Sequence, residues 1–218
     1  MAVADYDTLK SAIQSYCARS DSKFAARIPD FVGFCEDRLY NGGGSGENDA
    51  TYTPALRSSV LEYNGQSITL TAGEGTIPAD CLELRKLYVD GAYWGVEYLP
   101  PERFYVEAQN DYGTQPRYYT IEGTLLSVTP TADGALFIDY YRQLPAITES
   151  NKTGNMLAAH GLIYLELCLF EAFSWMQETE LAVAHLAKGR GMILGANRTS
   201  DRLRFAGKLR SRSRVNIP

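Results

Sequence analysis

The hydrophobic positions of this chain follow a helical period at both ends and a period of two in between. Near the N-terminus, residues 6–19 and 28–39 each place apolar side chains on one helical stripe, and Asp5 or Asp7 can cap the first helix. The glycine-rich stretch 41–46 ends the second stripe. The pattern therefore predicts two helices followed by a mobile connection.

Between residues 52 and 144 apolar and polar side chains alternate, as they do along strands with one buried face. The alternation is clearest over residues 68–71 and 136–141. Glu122-Gly123 and Asp133-Gly134 lie between such runs, where hairpin turns are expected. We therefore expect a twisted antiparallel sheet or a small sandwich in this region.

Three further helices are predicted after residue 100. Two prolines followed by an acid predict a short helix over residues 101–109, inside the β region. Residues 156–176 are apolar almost all round, which is typical of a helix at the centre of a bundle. Residues 179–196 carry apolar side chains on one face. Because Glu166 and Glu171 would be costly in lipid, a buried helix is preferred to a membrane span at 156–176.

These elements together predict an α+β protein. Its fold would be a four-helix bundle with an inserted antiparallel β region and an extended C-terminal arm. The bundle would be formed by residues 1–45 and 153–197, the inserted β domain by residues 46–152, and the arm by residues 198–218.

The strongest charge signal lies in this arm. Seven of its residues are basic and one, Asp201, is acidic, which gives the arm a charge of +6. Since the whole chain carries −5, residues 1–197 carry −11. Apolar residues alternate with the basic ones from residue 202 onward, so an extended arm could augment a strand or fill a groove, although a solvated, disordered terminus is an alternative. The candidate docking residues are Arg198, Arg202, Arg204, Phe205, Lys208, Leu209, Arg210, Arg212 and Arg214.

Candidate catalytic or metal-binding residues are few. The two histidines, His160 and His185, lie on separate predicted helices, and neither has a Cys, Asp or Glu at metal-ligand spacing. No Walker A, GxGxxG or GxSxG motif is present. The four cysteines form no CxxC pair and are expected to be reduced structural thiols. We therefore predict no enzymatic activity, no cofactor and no metal.

The remaining polar and aromatic side chains are expected to have structural roles. Glu166 and Glu171 should meet Arg, Tyr or backbone partners, or face a neighbouring subunit. Trp94 and Trp175 could stack on bases, but core or interface packing is the favoured interpretation. The pairs Tyr118-Tyr119 and Tyr140-Tyr141 should each place one ring on either face of a sheet that is buried on one side and wet on the other.

Several segments occur in an order that matches a known family. They are Tyr6-Asp7-Thr8-Leu9-Lys10, Ile28-Pro29-Asp30-Phe31, residues 77–91, Leu99-Pro100-Pro101-Glu102-Arg103-Phe104, Pro116-Arg117-Tyr118-Tyr119-Thr120-Ile121, Ile138-Asp139-Tyr140-Tyr141 and Leu144-Pro145-Ala146-Ile147. Residues 77–91, which begin Ile77-Pro78-Ala79-Asp80-Cys81, are the most specific. In these segments the chain resembles the head-to-tail adaptor proteins of tailed bacteriophages, including the tail accessory factors that lie under the portal of short-tailed phages.

The resemblance implies a structural protein of the virion. It implies a homo-oligomeric ring of twelve subunits at the head-to-tail junction, assembled in the host cytoplasm, with no membrane contact. The partners would be the portal protein, docked by the C-terminal arm, and a tail nozzle or tail tube protein. Genomic DNA would pass through the lumen without sequence-specific contact, and a negatively charged body would suit that passage because it does not hold phosphates.

Two other functions are compatible with the sequence. The main alternative is a nucleic-acid-binding module that acts through the basic arm, and the third is an enzyme with an unrecognised site in the β region. Salt dependence separates the first two hypotheses, since an arm that neutralises about six phosphates gives a log–log slope of about −5.

Overall fold

The computed structural model describes residues 3–46, 49, 51–91, 95–110 and 113–204. Their contacts divide the chain into two compact units. The helical unit contains the described residues up to Val60 together with those from Pro145 onward, and the β unit spans Leu61–Leu144. Compactness does not measure independent folding, so the domain division given above stays a prediction.

The helical elements are bounded as follows. The α-helices are α1 (Tyr6–Tyr16), α2 (Ser22–Ala25), α3 (Ile28–Asn41), α4 (Pro101–Asn110), α5 (Asn155–Trp175) and α6 (Thr179–Arg204), and a 3-10 helix covers Ser59–Leu61. α4 belongs to the β unit and occupies the place predicted for the short helix, with Phe104 as its buried side chain.

Local side chains explain where the first helices begin. The Asp5 carboxylate accepts a hydrogen bond from the Thr8 amide at 2.8 Å, and the Thr8 hydroxyl accepts one from the Asp5 amide at 3.1 Å. Asp5 is therefore the cap of α1, in a reciprocal capping box. Asp21 caps α2 with a single hydrogen bond, which its carboxylate accepts from the Phe24 amide at 3.0 Å.

α5 is the central element of the helical unit. It is apolar on nearly every face, and the main contacts of α1, α3 and α6 with other helices all go to α5. The predicted four-helix bundle is therefore wrong, since three helices surround one instead of each helix packing between two neighbours. The physical reason is the composition of α5, which offers apolar surface in every direction while its neighbours each carry a single stripe. By length and hydropathy α5 could also cross a membrane, but 56% of its most apolar 18-residue stretch is buried inside the protein.

A glycine allows α6 to approach α5 closely. A Cβ atom added to Gly189 on α6 would lie 2.9 Å from Leu167 Cδ2 on α5. The glycine lowers helix propensity by about 1 kcal/mol relative to alanine but leaves room for the Leu167 side chain. Gly191 and Gly195 have no such neighbour within 4 Å.

The β unit contains two sheets. Its strands are β1 (Glu62–Leu70), β2 (Glu74–Thr76), β3 (Cys81–Val89), β4 (Glu97–Tyr98), β5 (Tyr118–Glu122), β6 (Leu125–Thr129) and β7 (Gly134–Arg142). One sheet has the order β1-β7-β3 and is antiparallel, and the other has the order β2-β6-β5-β4. Because β4 runs parallel to β5, the expectation of a wholly antiparallel β region is wrong at that strand.

The two sheets enclose one apolar core. The alternation predicted from the sequence is confirmed, since Ile68 and Leu70 on β1 and Leu136, Ile138 and Tyr140 on β7 are buried, and Ile68 lies opposite Leu136 in the register. The other sheet and the chain that leads into it complete the cluster with Val96, Leu126 and Val128.

The two predicted turns connect strands in different ways, one within a sheet and one between the sheets. Gly123, at φ +66°, closes the predicted hairpin between β5 and β6. The hairpin expected at Asp133-Gly134 is wrong, because this turn joins β6 to β7, which belong to different sheets. The Asp133 carboxylate instead accepts from the Ala72 amide at 2.6 Å, in the turn between β1 and β2.

We expected each tyrosine pair to place one ring on a solvent-exposed sheet face, and this expectation is wrong for Tyr140-Tyr141. Tyr140 and Tyr141 are each only 2% exposed, although neighbouring strand residues point to opposite faces. The Arg85 guanidinium lies 5.4 Å from the Tyr141 ring centroid and helps to cover it. Tyr118 and Tyr119 are both half-buried.

Candidate docking site

The end of α6 is the described part of the predicted arm. Residues 198–204 continue the helix, so the expectation that the chain becomes extended at residue 198 is wrong. Arg198 and Arg202 are both exposed, and their spacing of four places them on one helical face. Phe205, Lys208, Leu209, Arg210, Arg212 and Arg214 lie outside the described residues, as does the side chain of Arg204.

Two polar side chains hold this helix end against the rest of the helical unit. The Asn197 side-chain Oδ1 accepts from the Arg57 backbone amide at 2.7 Å, and its Nδ2 donates to the Ala55 backbone carbonyl at 2.9 Å. One turn later, the buried Ser200 hydroxyl accepts from the Ser59 amide at 3.2 Å. These contacts satisfy the backbone of an irregular segment, so Asn197 and Ser200 fix the direction in which the chain leaves α6.

The same irregular segment is clamped from its other side. The Arg57 guanidinium donates to the carbonyls of Tyr40, at 3.1 Å, and Leu56, at 2.9 Å, and thereby ties the segment to the end of α3. The Leu56 amide donates to the Leu39 carbonyl at 2.8 Å. The base of the arm is therefore built on fixed backbone. Sequence reasoning missed this anchoring, since the only available signal was a polar residue on the inner face of α6.

The glycine-rich stretch after α3 forms a closed loop. Gly43 and Thr53 exchange two backbone hydrogen bonds of 2.9 Å, and the Gly42 amide donates to the Arg38 carbonyl. Gly44 has φ +83°, and a Cβ atom there would lie 2.6 Å from the Tyr52 Cα atom, so glycine is required at this position. Because the amides of Gly42 and Gly43 already have backbone partners, they are not available to hold a phosphate.

An open groove of about 660 Å³ lies beside this loop. Its floor holds the Arg38–Glu171 ion pair, with 3.2 Å between Nη2 and Oε1. Arg38 also lies 4.8 Å from the Phe170 ring centroid and donates to the Thr51 carbonyl. Glu171 therefore has the arginine partner expected for it. The ion pair fixes α5 to α3.

Both histidines have partners within the helical unit. His185 Nδ1 lies 2.7 Å from Glu166 Oε2, and its ring stacks on Phe173 with centroids 5.2 Å apart. His160 Nε2 lies 2.9 Å from the Ser58 hydroxyl, and burial lowers the pKa of His160. Within the described ranges, no three His, Cys, Asp or Glu side chains are grouped closely enough to hold a metal ion.

The cysteines are free, as expected. Burial raises the pKa of Cys17 and of Cys81 to about 11 and that of Cys35 well above its usual value. The Cys35 thiol donates to the Tyr164 carbonyl at 3.8 Å. Since thiolates are the reactive form, these thiols are suited to packing and not to nucleophilic chemistry.

Trp175 is packed at the end of α5, as expected from the sequence. Its ring lies 6.0 Å from Phe24 and 6.3 Å from Phe31, and the Arg19 guanidinium lies 5.5 Å from it. The side chain remains 42% exposed. Trp94 lies outside the described residues.

Comparison with known proteins identifies one family. A protein-family model described as SU10 adaptor protein matches residues 4–212. The match covers both compact units, the anchored end of α6 and most of the basic arm. No curated protein matches the chain.

Proposed function

The chain belongs to the SU10 adaptor protein family and is a bacteriophage adaptor, and on that basis we propose that it forms a ring beneath the portal at the head-to-tail junction. The observation that carries the proposal is the extent of the family match, which includes both units and continues to residue 212. The proposed ring has twelve subunits, joins the portal to a tail nozzle or tail tube protein, and lets genomic DNA pass. No catalytic step is part of this function.

The arm is the proposed contact with the portal. Arg198 and Arg202 are exposed on a helix end whose direction is fixed by Asn197 and Ser200, so the chain beyond Arg204 leaves from a rigid base. Arginines that pair with acids of the portal would orient the arm, and apolar residues such as Phe205 and Leu209 would anchor it. The ring raises the overall affinity for the portal, because each subunit contributes one arm.

Charge distribution supports passage of DNA through the ring. Residues 1–197 carry −11 while residues 198–218 carry +6, since the chain as a whole carries −5. A body of this sign repels phosphates and leaves DNA free to slide, whereas a positive lumen would hold it.

Co-assembly with the portal tests the arm. Residues 205–218 are the part to delete, because a deletion from residue 198 would also remove Ser200, which is 5% exposed and holds Ser59. We expect the truncated protein to fold, with unchanged circular dichroism, and to lose attachment to the portal. Attachment at the wild-type level would show that the arm has another role.

A charge-matched pair of variants separates the arm from general electrostatics. In the first, the four basic residues of the deleted segment, Lys208, Arg210, Arg212 and Arg214, are changed to Gln. In the control, four exposed basic residues of the helical unit outside the arm, Lys23, Arg27, Lys152 and Lys188, are changed to Gln. The first variant should lose portal attachment, and the control should keep most of it. A single Arg198→Ala change should weaken docking only slightly, since an exposed ion pair contributes about 0–1 kcal/mol.

A further inference from the structure

Little of the surface of α4 is covered by the rest of the chain. The structure describes all of this helix, and its one buried side chain is Phe104, while Tyr105 and Val106 are 50% and 59% exposed. The Tyr105 hydroxyl donates to the Glu122 carboxylate, and Glu122 lies opposite the exposed Leu125 in the register of β5 and β6. Tyr105, Val106 and Leu125 therefore lie together as one apolar surface, the α4 patch. An exposed apolar patch with a polar rim is typical of a surface that binds another protein.

The rim of the α4 patch is acidic. Glu102 is exposed one helical turn before Tyr105, and its carboxylate has no hydrogen bond or ion pair within the described part of the chain. The hydrogen bond to Glu122 and the nearby Glu74 carboxylate both raise the pKa of Tyr105, so these two acids border the same ring. α4 has a single base, Arg103. The β unit as a whole has twelve acidic and five basic residues, which gives it a net charge of −7.

α6 has an exposed face of the opposite charge. Residues 181–200 of this helix contain three basic residues and no acid. Ala184, Lys188 and Gly191 are exposed and share one helical face, which begins beside Leu181, itself 46% exposed. The Lys188 ammonium has no ion pair among the residues that the structure describes. A Cβ atom at Gly191 would meet no atom within 4 Å, so this surface, the α6 face, offers a positive charge beside open space.

The α4 patch and the α6 face are complementary in charge and in shape. Both are exposed in the single chain, so neither covers the other. The α4 patch projects an aromatic ring with acids beside it, whereas the α6 face presents a base beside a position without a side chain. A second copy can therefore place Tyr105 over Gly191, and its Glu102 and Glu122 carboxylates then face Lys188. Contact between two α4 patches is disfavoured, because like charges would meet.

We infer that the α4 patch of one copy docks on the α6 face of the next copy, and that this contact joins the subunits of the ring. Because the contact uses a different surface on each partner, every docked copy still offers one free surface, and the contact repeats until the ring closes. The inference rests on the proposed ring and adds the surfaces that build it. It leaves Arg198, Arg202 and the residues beyond them to the portal.

Cross-linking of the full-length protein tests the contact directly. Isotopically light and heavy copies are mixed at concentrations up to about 1 mM, where even a weak contact is populated. A carbodiimide then joins amines to carboxylates that lie in direct contact. We expect peptides that link Lys188 of one isotope to Glu102 or Glu122 of the other, with a yield that rises with protein concentration. The absence of such mixed links, or links within one isotope alone, would overturn the inference.

An exchange of charges identifies the pairing. Glu102→Lys and Lys188→Glu should each weaken self-association, measured by sedimentation equilibrium, by about tenfold or more. A chain with both changes should return to within about threefold of the wild type, because each altered surface then meets its altered counterpart on the next copy. Glu107→Lys, on the other flank of α4, and the exposed Lys23→Glu are the matched controls and should change association less than about twofold. A double variant as weak as the single ones would contradict the pairing.

Gly191 provides a test in which stability and association change in opposite directions. Gly191→Leu should raise the midpoint of thermal unfolding, because leucine is the better helix former and the position is open. It should weaken self-association by about tenfold or more, because the new side chain occupies the space for Tyr105. Gly33→Leu on α3 is the matched control, since Gly33 is exposed and also has no atom within 4 Å. Equal self-association of the two variants would rule out the α6 face as the contact.

Deletion of residues 205–218 separates this inference from the proposed function. The truncated protein should keep the mixed-isotope links, because neither surface lies in the deleted segment. Loss of these links would overturn the inference and move the contact between copies to the arm. Attachment of the truncated protein to the portal at the wild-type level would contradict the proposed role of the arm and leave the contact between copies standing.

Discussion

At the scale of single residues, Glu36 joins the two ends of the chain that form the helical unit. Its side chain is almost fully buried on α3, and its Oε1 atom accepts from the Ile147 amide at 3.0 Å and the Tyr164 hydroxyl at 3.1 Å. Burial raises the pKa of Glu36, and the two hydrogen bonds only partly oppose that effect. The protonated form is therefore favoured in the folded state more than in the unfolded chain.

Glu36→Gln should remove a pH-dependent loss of stability. The folded-state pKa lies above the unfolded value of about 4.3, so the stabilising contribution is complete below that pH and is lost as pH rises through the folded-state pKa. Because glutamine does not titrate, the free energy of unfolding of the variant should rise relative to that of the wild type as pH increases above about 4. Urea denaturation at several pH values measures this, with Glu180→Gln at an exposed position of α6 as the control.

Ala18 and Gln177 hold a backbone conformation that glycine adopts more easily. They follow α1 and α5 at φ +49° and +65°, where the next amide bonds back to the last helical turn at 3.1 Å and 2.9 Å. Replacing each by glycine should stabilise the protein by up to about 1 kcal/mol, because the strain of a left-handed residue exceeds the entropy that glycine adds to the unfolded chain. Ala187→Gly, exposed within α6, should destabilise by about 1 kcal/mol. Thermal unfolding of all three variants tests this, since the midpoint temperature should rise for the first two and fall for Ala187→Gly.

At the scale of secondary-structure elements, the end of α6 depends on polar contacts. Asn197→Ala should destabilise the protein by about 1–3 kcal/mol, because the Arg57 amide and the Ala55 carbonyl would lose their partner. Thr199→Ala is the matched control, since the Thr199 hydroxyl bonds only to the Gly195 carbonyl of its own helix. Denaturant titration measures the difference. Equal stability of the two variants would show that solvent replaces the Asn197 contacts.

Sequence reasoning identified most elements but not their assembly. Periodicity and caps located α1, α3, α4 and α6, because these signals are local. The division of the strands into two sheets could not be predicted, because Ile68 and Leu136 alternate in the same way whichever strands pair. Asp133-Gly134 has the composition of a hairpin turn and is instead a connection between sheets. Which strands pair depends on contacts distant in sequence.

The candidate site was predicted in the same partial way. Charge alone indicated Arg198 and Arg202, which are exposed, and their role in docking stays a prediction. Their helical setting was missed because Asn197 and Ser200 resemble ordinary surface residues, and their partners, Ala55 to Ser59, lie about 140 residues earlier. No local pattern connects polar residues at that separation.

At the scale of the whole molecule, charge separates the adaptor from a nucleic-acid-binding protein. We expect the full-length protein to bind free duplex DNA weakly, with a log–log salt slope clearly shallower than about −5. The −11 charge on residues 1–197 opposes the +6 of the arm, so few counterions are released. Anisotropy at about 50–200 mM salt measures the slope. A slope near −5 that disappears on deletion of residues 205–218 would support the nucleic-acid-binding alternative.

The helical unit is assembled from the two ends of the chain, and this has a consequence during synthesis. α3 ends at Asn41, and α5, on which it packs, begins about 110 residues later at Asn155. At about 5–20 residues per second, the ribosome needs roughly 6–23 s after α3 to reach the start of α5, and during that time the apolar stripes of α1 and α3 have no partner helix. The β unit is continuous in sequence, so its whole core can form within that interval. The nascent chain would therefore complete its middle first and leave its N-terminal helices exposed to chaperones until α5 has been made.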